Sequence, residues 1–130
     1  MDNECEHSGS SGTGKTFEEL LRRVLHFRDE RDWARFHHPK DLAISICLEA
    51  AEFLEHFQWK DPEEVRRALA DPAERHAAGE EMADILILLL SASDAVGVDL
   101  YEATLEKLVR NAAKYPISKA KGNARKYDRL

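Results

Sequence analysis

The chain has 130 residues, of which 43% are apolar and 34% charged, and carries a formal net charge of −6. That length suits one domain with a core of its own, and the composition is that of a soluble, helix-rich protein rather than a disordered one. The longest apolar run, Ile85–Leu90, is bracketed by Asp84 and Asp94, which excludes a membrane span, and the acidic N-terminus has no apolar leader. Residues 1–15 are polar and Gly/Ser-rich, the pattern of a disordered tail. Within them, Gly9-Ser-Ser-Gly-Thr-Gly-Lys15-Thr16 matches the phosphate-binding pattern G-x-x-x-x-G-K-[ST] letter for letter. That loop works only between a buried strand and a helix, and Met1–Ser8 cannot be such a strand, so the match is read as chance.

Thr16 is an N-cap, with Glu19 placed to complete a capping box, and a first helix follows to about Arg31. Trp33, Phe36, His37, His38 and Pro39 form an aromatic-rich bend. A second helix runs from about Pro39 or Asp41 to Gln58 and contains Cys47; Cys5 lies in the tail. Two such cysteines make no disulfide framework, and a reducing cytoplasm is the default. The same start signal then appears twice, at Asp61-Pro62-Glu63-Glu64 and Asp71-Pro72-Ala73-Glu74. In each, Asp caps the helix, Pro takes its first position and an acid meets the dipole. These predict a short helix over about 62–69 and a long one over about 72–96, stopped by Gly97. Asp99 caps a last helix over about 100–114, closed by Tyr115-Pro116. Residues 117–130 read as a loosely structured basic tail. No segment shows strand alternation, so the fold class is all-α, a bundle of four to five helices in a domain over 16–116. The fourth helix is apolar nearly all round between Ile85 and Leu90, which predicts a homodimer or homotetramer that covers it.

The charge is divided unevenly. Residues 107–130 hold eight Lys/Arg against the single acid Asp128, a local charge of +7, leaving −13 on the rest of the −6 chain. This pattern suits a cationic flap over an anionic ligand held by metal on an acidic body. It argues against nucleic-acid binding, because the body would repel a phosphate backbone.

Two acid pairs interrupt otherwise apolar helices: Glu49-x-x-Glu52 in the second and Glu81-x-x-Asp84 in the fourth. Residues three apart share a helix face, so each pair presents two carboxylates side by side. If the two helices pack together, four carboxylates converge, and mutual repulsion and lost hydration require a counter-charge. A di-iron bundle needs Glu-x-x-His on its ligand helices, and no Glu of a predicted helix has His three positions later; Glu4-x-x-His7 lies in the polar tail, and His56 is four from Glu52. Oxygen-only ligands favour Mg²⁺, or Mn²⁺ in its place. Such ions can hold a polyphosphate and ready a water for in-line attack. Lys107, Asn111 and Lys114 share a face of the last helix. Trp33 and Trp59 flank the second helix, where each ring offers a stacking face for a base, worth about 1–3 kcal/mol. His37 and His38 stand beside the first of them.

With Phe27-Arg-Asp-Glu-Arg-Asp-Trp33, Phe36-His37, Phe57-Gln-Trp59, the two acid pairs, Lys107-x-x-x-Asn111-x-x-Lys114-Tyr115-Pro116 and Lys126-Tyr127, the chain resembles the MazG-like all-α nucleoside triphosphate pyrophosphohydrolases, in particular their dCTP pyrophosphatase branch. The resemblance runs from about Phe17 to Leu130. It implies that Glu49, Glu52, Glu81 and Asp84 bind Mg²⁺ and that a nucleoside triphosphate is hydrolysed to the monophosphate and pyrophosphate. It also implies that Lys107, Asn111, Lys114, Tyr115 and, from the tail, Lys126 contact phosphates or sugar. The chain departs from the eukaryotic pattern at Leu88, where those members carry Tyr, and this bears on base selectivity. The alternatives are a broad NTP or phosphoribosyl-ATP pyrophosphohydrolase, and a catalytically silent nucleotide-binding or helix-dimerisation module.

Overall fold

The computed structural model describes residues 16–130, which form six α-helices and two 3₁₀ turns with no strand among them. The decoy phosphate-loop pattern lies outside the described residues except for Thr16. The helices are α1 (Phe17–Asp29), α2 (Pro39–Glu55), α3 (Pro62–Ala70), α4 (Pro72–Val96), α5 (Leu100–Lys114) and α6 (Ile117–Ala120), with 3₁₀ turns at Ala34–Phe36 and Tyr127–Arg129.

Local chemistry accounts for most of these boundaries. The Thr16 hydroxyl accepts the Glu19 N–H at 3.1 Å, but the expected reciprocal half of that capping box is missing. The Glu19 carboxylate instead takes hydrogen bonds from Arg22 and Arg23, because two guanidiniums outcompete one backbone amide for it. The full box forms at α3, where Asp61 accepts from the Glu64 N–H and Glu64 accepts from the Asp61 N–H, both at 2.8 Å. Asp71 accepts from the Ala73 N–H at the start of α4, and Asp99 from the Glu102 N–H at the start of α5. Gly97 ends α4 in the left-handed conformation, with φ 76°, as its place after the last apolar turn predicts.

The all-α bundle of five main helices is as expected, and the four-residue α6 is added to it. Two expectations need correction. The second helix ends at Glu55 rather than Gln58, and residues 56–59 form a turn. The tail is more ordered than its charge suggests: Pro116 sets the start of α6, and Tyr127 packs edge-on against Tyr115 with ring centroids 6.1 Å apart.

α4 is the spine. α2, α1 and α3 pack on it, α2 most extensively, whereas α5 makes only slight contact with the other helices. Arg28 fastens α1 to α4 through an ion pair with Asp94. The core is small: Val24, Leu42, Ala78 and Leu90 are the buried apolar side chains among the described residues. Leu86, Ile87 and Leu89 on the same apolar run of α4 stay about 40% exposed, so one copy of the chain does not cover that run.

Candidate active site

Packing of α2 on α4 brings the two acid pairs together. One carboxylate oxygen each from Glu49, Glu52 and Glu81 lie within 4.8 Å of one another, with Glu49 and Glu81 half-buried and Glu52 exposed. Asp84 stands just outside this trio yet close enough to act on it. Burial above all, then the charges of Glu52, Asp84 and Glu81 in that order, raise the Glu49 carboxyl above its ordinary range. A set of hard oxygen donors that favours added positive charge fits a divalent cation.

An open cleft of about 420 Å³ adjoins the trio and is lined by Glu52, Glu55, His56, Lys60, Glu74 and Glu81. His56, one position out of register for a di-iron site, points its Nε2 to within 3.7 Å of the Glu81 carboxylate. Neither His56 nor Lys60 stands out from sequence as a site residue. The only signal is that a helix places residue 56 on the face of Glu52, and what it meets there depends on the register between two helices.

Trp59 is 92% exposed and holds a left-handed backbone at φ 72°, a conformation that costs a bulky residue on the order of 1–3 kcal/mol. Trp33 is half-exposed, braced edge-on by Phe27 at 5.9 Å, with the Arg31 guanidinium stacked over Phe27 at 3.7 Å. The two indoles make no direct ring contact with each other. His37 has a buried Nδ1 with no hydrogen-bond partner, and burial, then the nearby Arg28 charge, push its pKa down. A neutral imidazole with a free nitrogen is suited to a polar ligand edge. His38 is the N-cap of α2, exposed and making no capping hydrogen bond with its side chain.

The cationic residues gather elsewhere. Lys107 and Asn111 line one shallow groove along α5 together with Leu100, Ala103, Thr104 and Leu108. At the end of α5, Lys114 Nζ lies 5.0 Å from the centre of the Tyr127 ring, which itself rests on Tyr115. Lys126 is the chain neighbour of Tyr127 and the N-cap of the last 3₁₀ turn. Among the described residues, no hydrogen bond or ion pair joins Lys107, Asn111, Lys114 or Lys126 to the four acids.

Comparison with known proteins adds to this geometry. Residues 44–130 match the model of the MazG-like family. The chain is 40% identical over 115 residues to the protein named dCTP pyrophosphatase 1 from Bos taurus, covering 88% of this chain and 68% of that one. The Homo sapiens protein of the same name is 38% identical over the same shares. Among solved structures, a pyrophosphatase from Archaeoglobus fulgidus superposes with a TM-score of 0.71 at 37% identity, covering 89% of this chain and 98% of that one.

Proposed function

The chain belongs to the MazG-like family, and from that premise we propose that it hydrolyses dCTP and 5-modified dCTP to the monophosphate and pyrophosphate, with Mg²⁺ as its metal. The observation that carries the reading is the meeting of Glu49, Glu52 and Glu81 at the α2–α4 contact, with Asp84 alongside. These four acids would hold the ion, with Mn²⁺ as a substitute. When bound, such an ion supplies Lewis-acid polarisation of phosphate oxygens and a lowered water pKa.

The residues divide the remaining work. Glu52, the exposed member of the trio, accepts the proton of the attacking water. The water oxygen bonds to the α-phosphorus, the bridge to the β-phosphorus breaks, and pyrophosphate carries away the electron pair. Lys107, Asn111, Lys114, Tyr115 and Lys126 bind phosphates or sugar and offset charge on the leaving group. Trp33 and Trp59 take the base, with His37 and His38 at its edge. A homodimer or homotetramer covers the exposed run of α4, and the basic tail of residues 117–130 belongs to the working site. The free Cys47 thiol accords with a cytoplasmic setting, and no described helix is long and apolar enough to cross a membrane.

The test is a panel of dCTP, 5-methyl-dCTP, dUTP, dTTP, dATP and dGTP, with products identified in Mg²⁺, in Mn²⁺ and in chelator. The expected result is metal-dependent release of monophosphate and pyrophosphate, with the two cytosine nucleotides preferred. Release of diphosphate and orthophosphate would overturn the bond assignment. Leu88, half-buried one turn beyond Asp84, favours a second reading in which several nucleotides are accepted; equal kcat/KM across the panel is its signature.

A further inference from the structure

We propose that Lys60 is a positioning residue that sets the orientation of the Trp59 ring and thereby the choice of base, a role that rests on the reading of Trp59 as a base contact. Trp59 holds its left-handed backbone without the glycine or asparagine that ordinarily occupies such a position, so its surroundings must impose it. The turn around it is fastened on both sides. On the α2 side, the Phe57 and Gln58 N–H groups donate to the Leu54 carbonyl at 2.9 and 2.8 Å, and the Lys60 N–H donates to the Phe57 carbonyl at 3.0 Å. On the α3 side, the capping box of Asp61 and Glu64 fixes the next residue.

The side chain of Lys60 closes the turn across its middle. Its Nζ donates to the His56 carbonyl at 3.0 Å, bridging from one end of the five-residue segment to the other, with Trp59 held in between. An ammonium at the C-terminal end of α2 also meets the negative end of that helix dipole, which favours this arrangement over a free side chain. The His56 ring in turn lies 3.7 Å from Glu81, and Lys60 lines the same cleft as Glu52 and Glu81. A run of contacts therefore leads from an acid of the trio, through His56 and Lys60, to the turn that carries Trp59, whose ring is itself exposed. The bond to the His56 carbonyl assigns Lys60 as an anchor of the turn, and the alternative, a phosphate contact through its two remaining N–H donors, is an outcome of the test.

Lys60→Met, which keeps the apolar stem and deletes the charge, and Lys60→Arg, which keeps a donor, form the test pair. Lys60→Met is expected to raise KM for the preferred nucleotide about tenfold, leave kcat within about twofold, and reduce the ratio of kcat/KM between preferred and poor bases. Lys60→Arg should restore most of that ratio. Inhibition by pyrophosphate, which has no base, should be unchanged in both. A loss of kcat equal for every nucleotide, or a weakened pyrophosphate inhibition, would overturn the proposal in favour of a phosphate contact. Time-resolved fluorescence anisotropy of Trp59 in a Trp33→Phe background, without nucleotide, reads the ring directly. Lys60→Met should add a fast depolarising component that Lys60→Arg lacks, and its absence would overturn the positioning role. If the anisotropy changes while Trp59→Ala leaves base preference intact, the positioning holds and the assignment of Trp59 to the base is what fails.

Discussion

Glu49 is the residue at which burial and like charge act together, so its titration has a definite sign. Its carboxyl is raised above the ordinary 4.5 in the folded chain, so the folded state binds its proton more tightly than the unfolded state does. The stability penalty of the ionised form is absent below that ordinary value and grows as pH rises through the raised one. Glu49→Gln should therefore match the parent in melting temperature near pH 4 in chelator and exceed it at pH 7. The same change should lower kcat/KM by orders of magnitude in saturating Mg²⁺, because one of the oxygen donors is lost. Thermal unfolding followed at both pH values, with steady-state turnover alongside, checks both statements. The acid pairs were legible from sequence because a spacing of three on a helix fixes a shared face. That Glu81 rather than Asp84 completes the trio was not legible, since it depends on how α2 and α4 slide against one another. The backbone of Trp59 was equally hidden, as no turn-favouring residue type marks it.

At the scale of elements, caps carry most of what sequence can tell. Asp61, Asp71 and Asp99 each accept a backbone N–H in the first turn that follows them, and the starts of α3, α4 and α5 fall where those residues predict. Gly97 is the corresponding stop, and its φ of 76° disfavours any side chain although the space around it is open. Gly97→Ala should cost about 1 kcal/mol through backbone strain alone. Gly79 offers the opposite case, a helical glycine in the first half of α4 with nothing within 4 Å of an added Cβ. Gly79→Ala should stabilise by about 0.5–1 kcal/mol, and chemical denaturation of both variants beside the parent measures the pair. Where local signals fail, the reason is tertiary. Residues 56–59 include no helix breaker, and α2 stops there because Lys60 and the capping box at Asp61 close a turn. Charge dominates residues 117–130, so sequence understates their order; the contact of Tyr127 with Tyr115 and Lys114 supplies it.

For the molecule as a whole, the contrast between a small core and a long uncovered apolar run decides the expected state. Leu48, Leu54, Met82, Val96, Leu108 and Val109 are more than half exposed, in addition to the residues of α4 already described. Surface of that kind in a chain this short needs a cover, and the proposed dimer or tetramer should appear as a single associated species in analytical ultracentrifugation. A monodisperse monomer would contradict it. Here periodicity was the legible part, since a helix apolar all round predicts burial on every side; which helix lies across from it was not, because α5 and α4 expose comparable stretches. The arrangement of α4 has a further consequence, one of mass action. Glu81 and Asp84 sit a turn or so from Leu86, Ile87 and Leu89, so the helix that presents half the acids is also the helix that waits for a partner. In the proposed dimer or tetramer, folding, association and metal binding would draw on one equilibrium, and the unfolding midpoint would become a function of how much protein is present. For a dimer, each tenfold dilution removes about 1.4 kcal/mol of apparent stability, and saturating metal restores part of it. A dilution series of melting curves should show a falling midpoint, and specific activity should fall over the same range of concentration as neighbouring chains part.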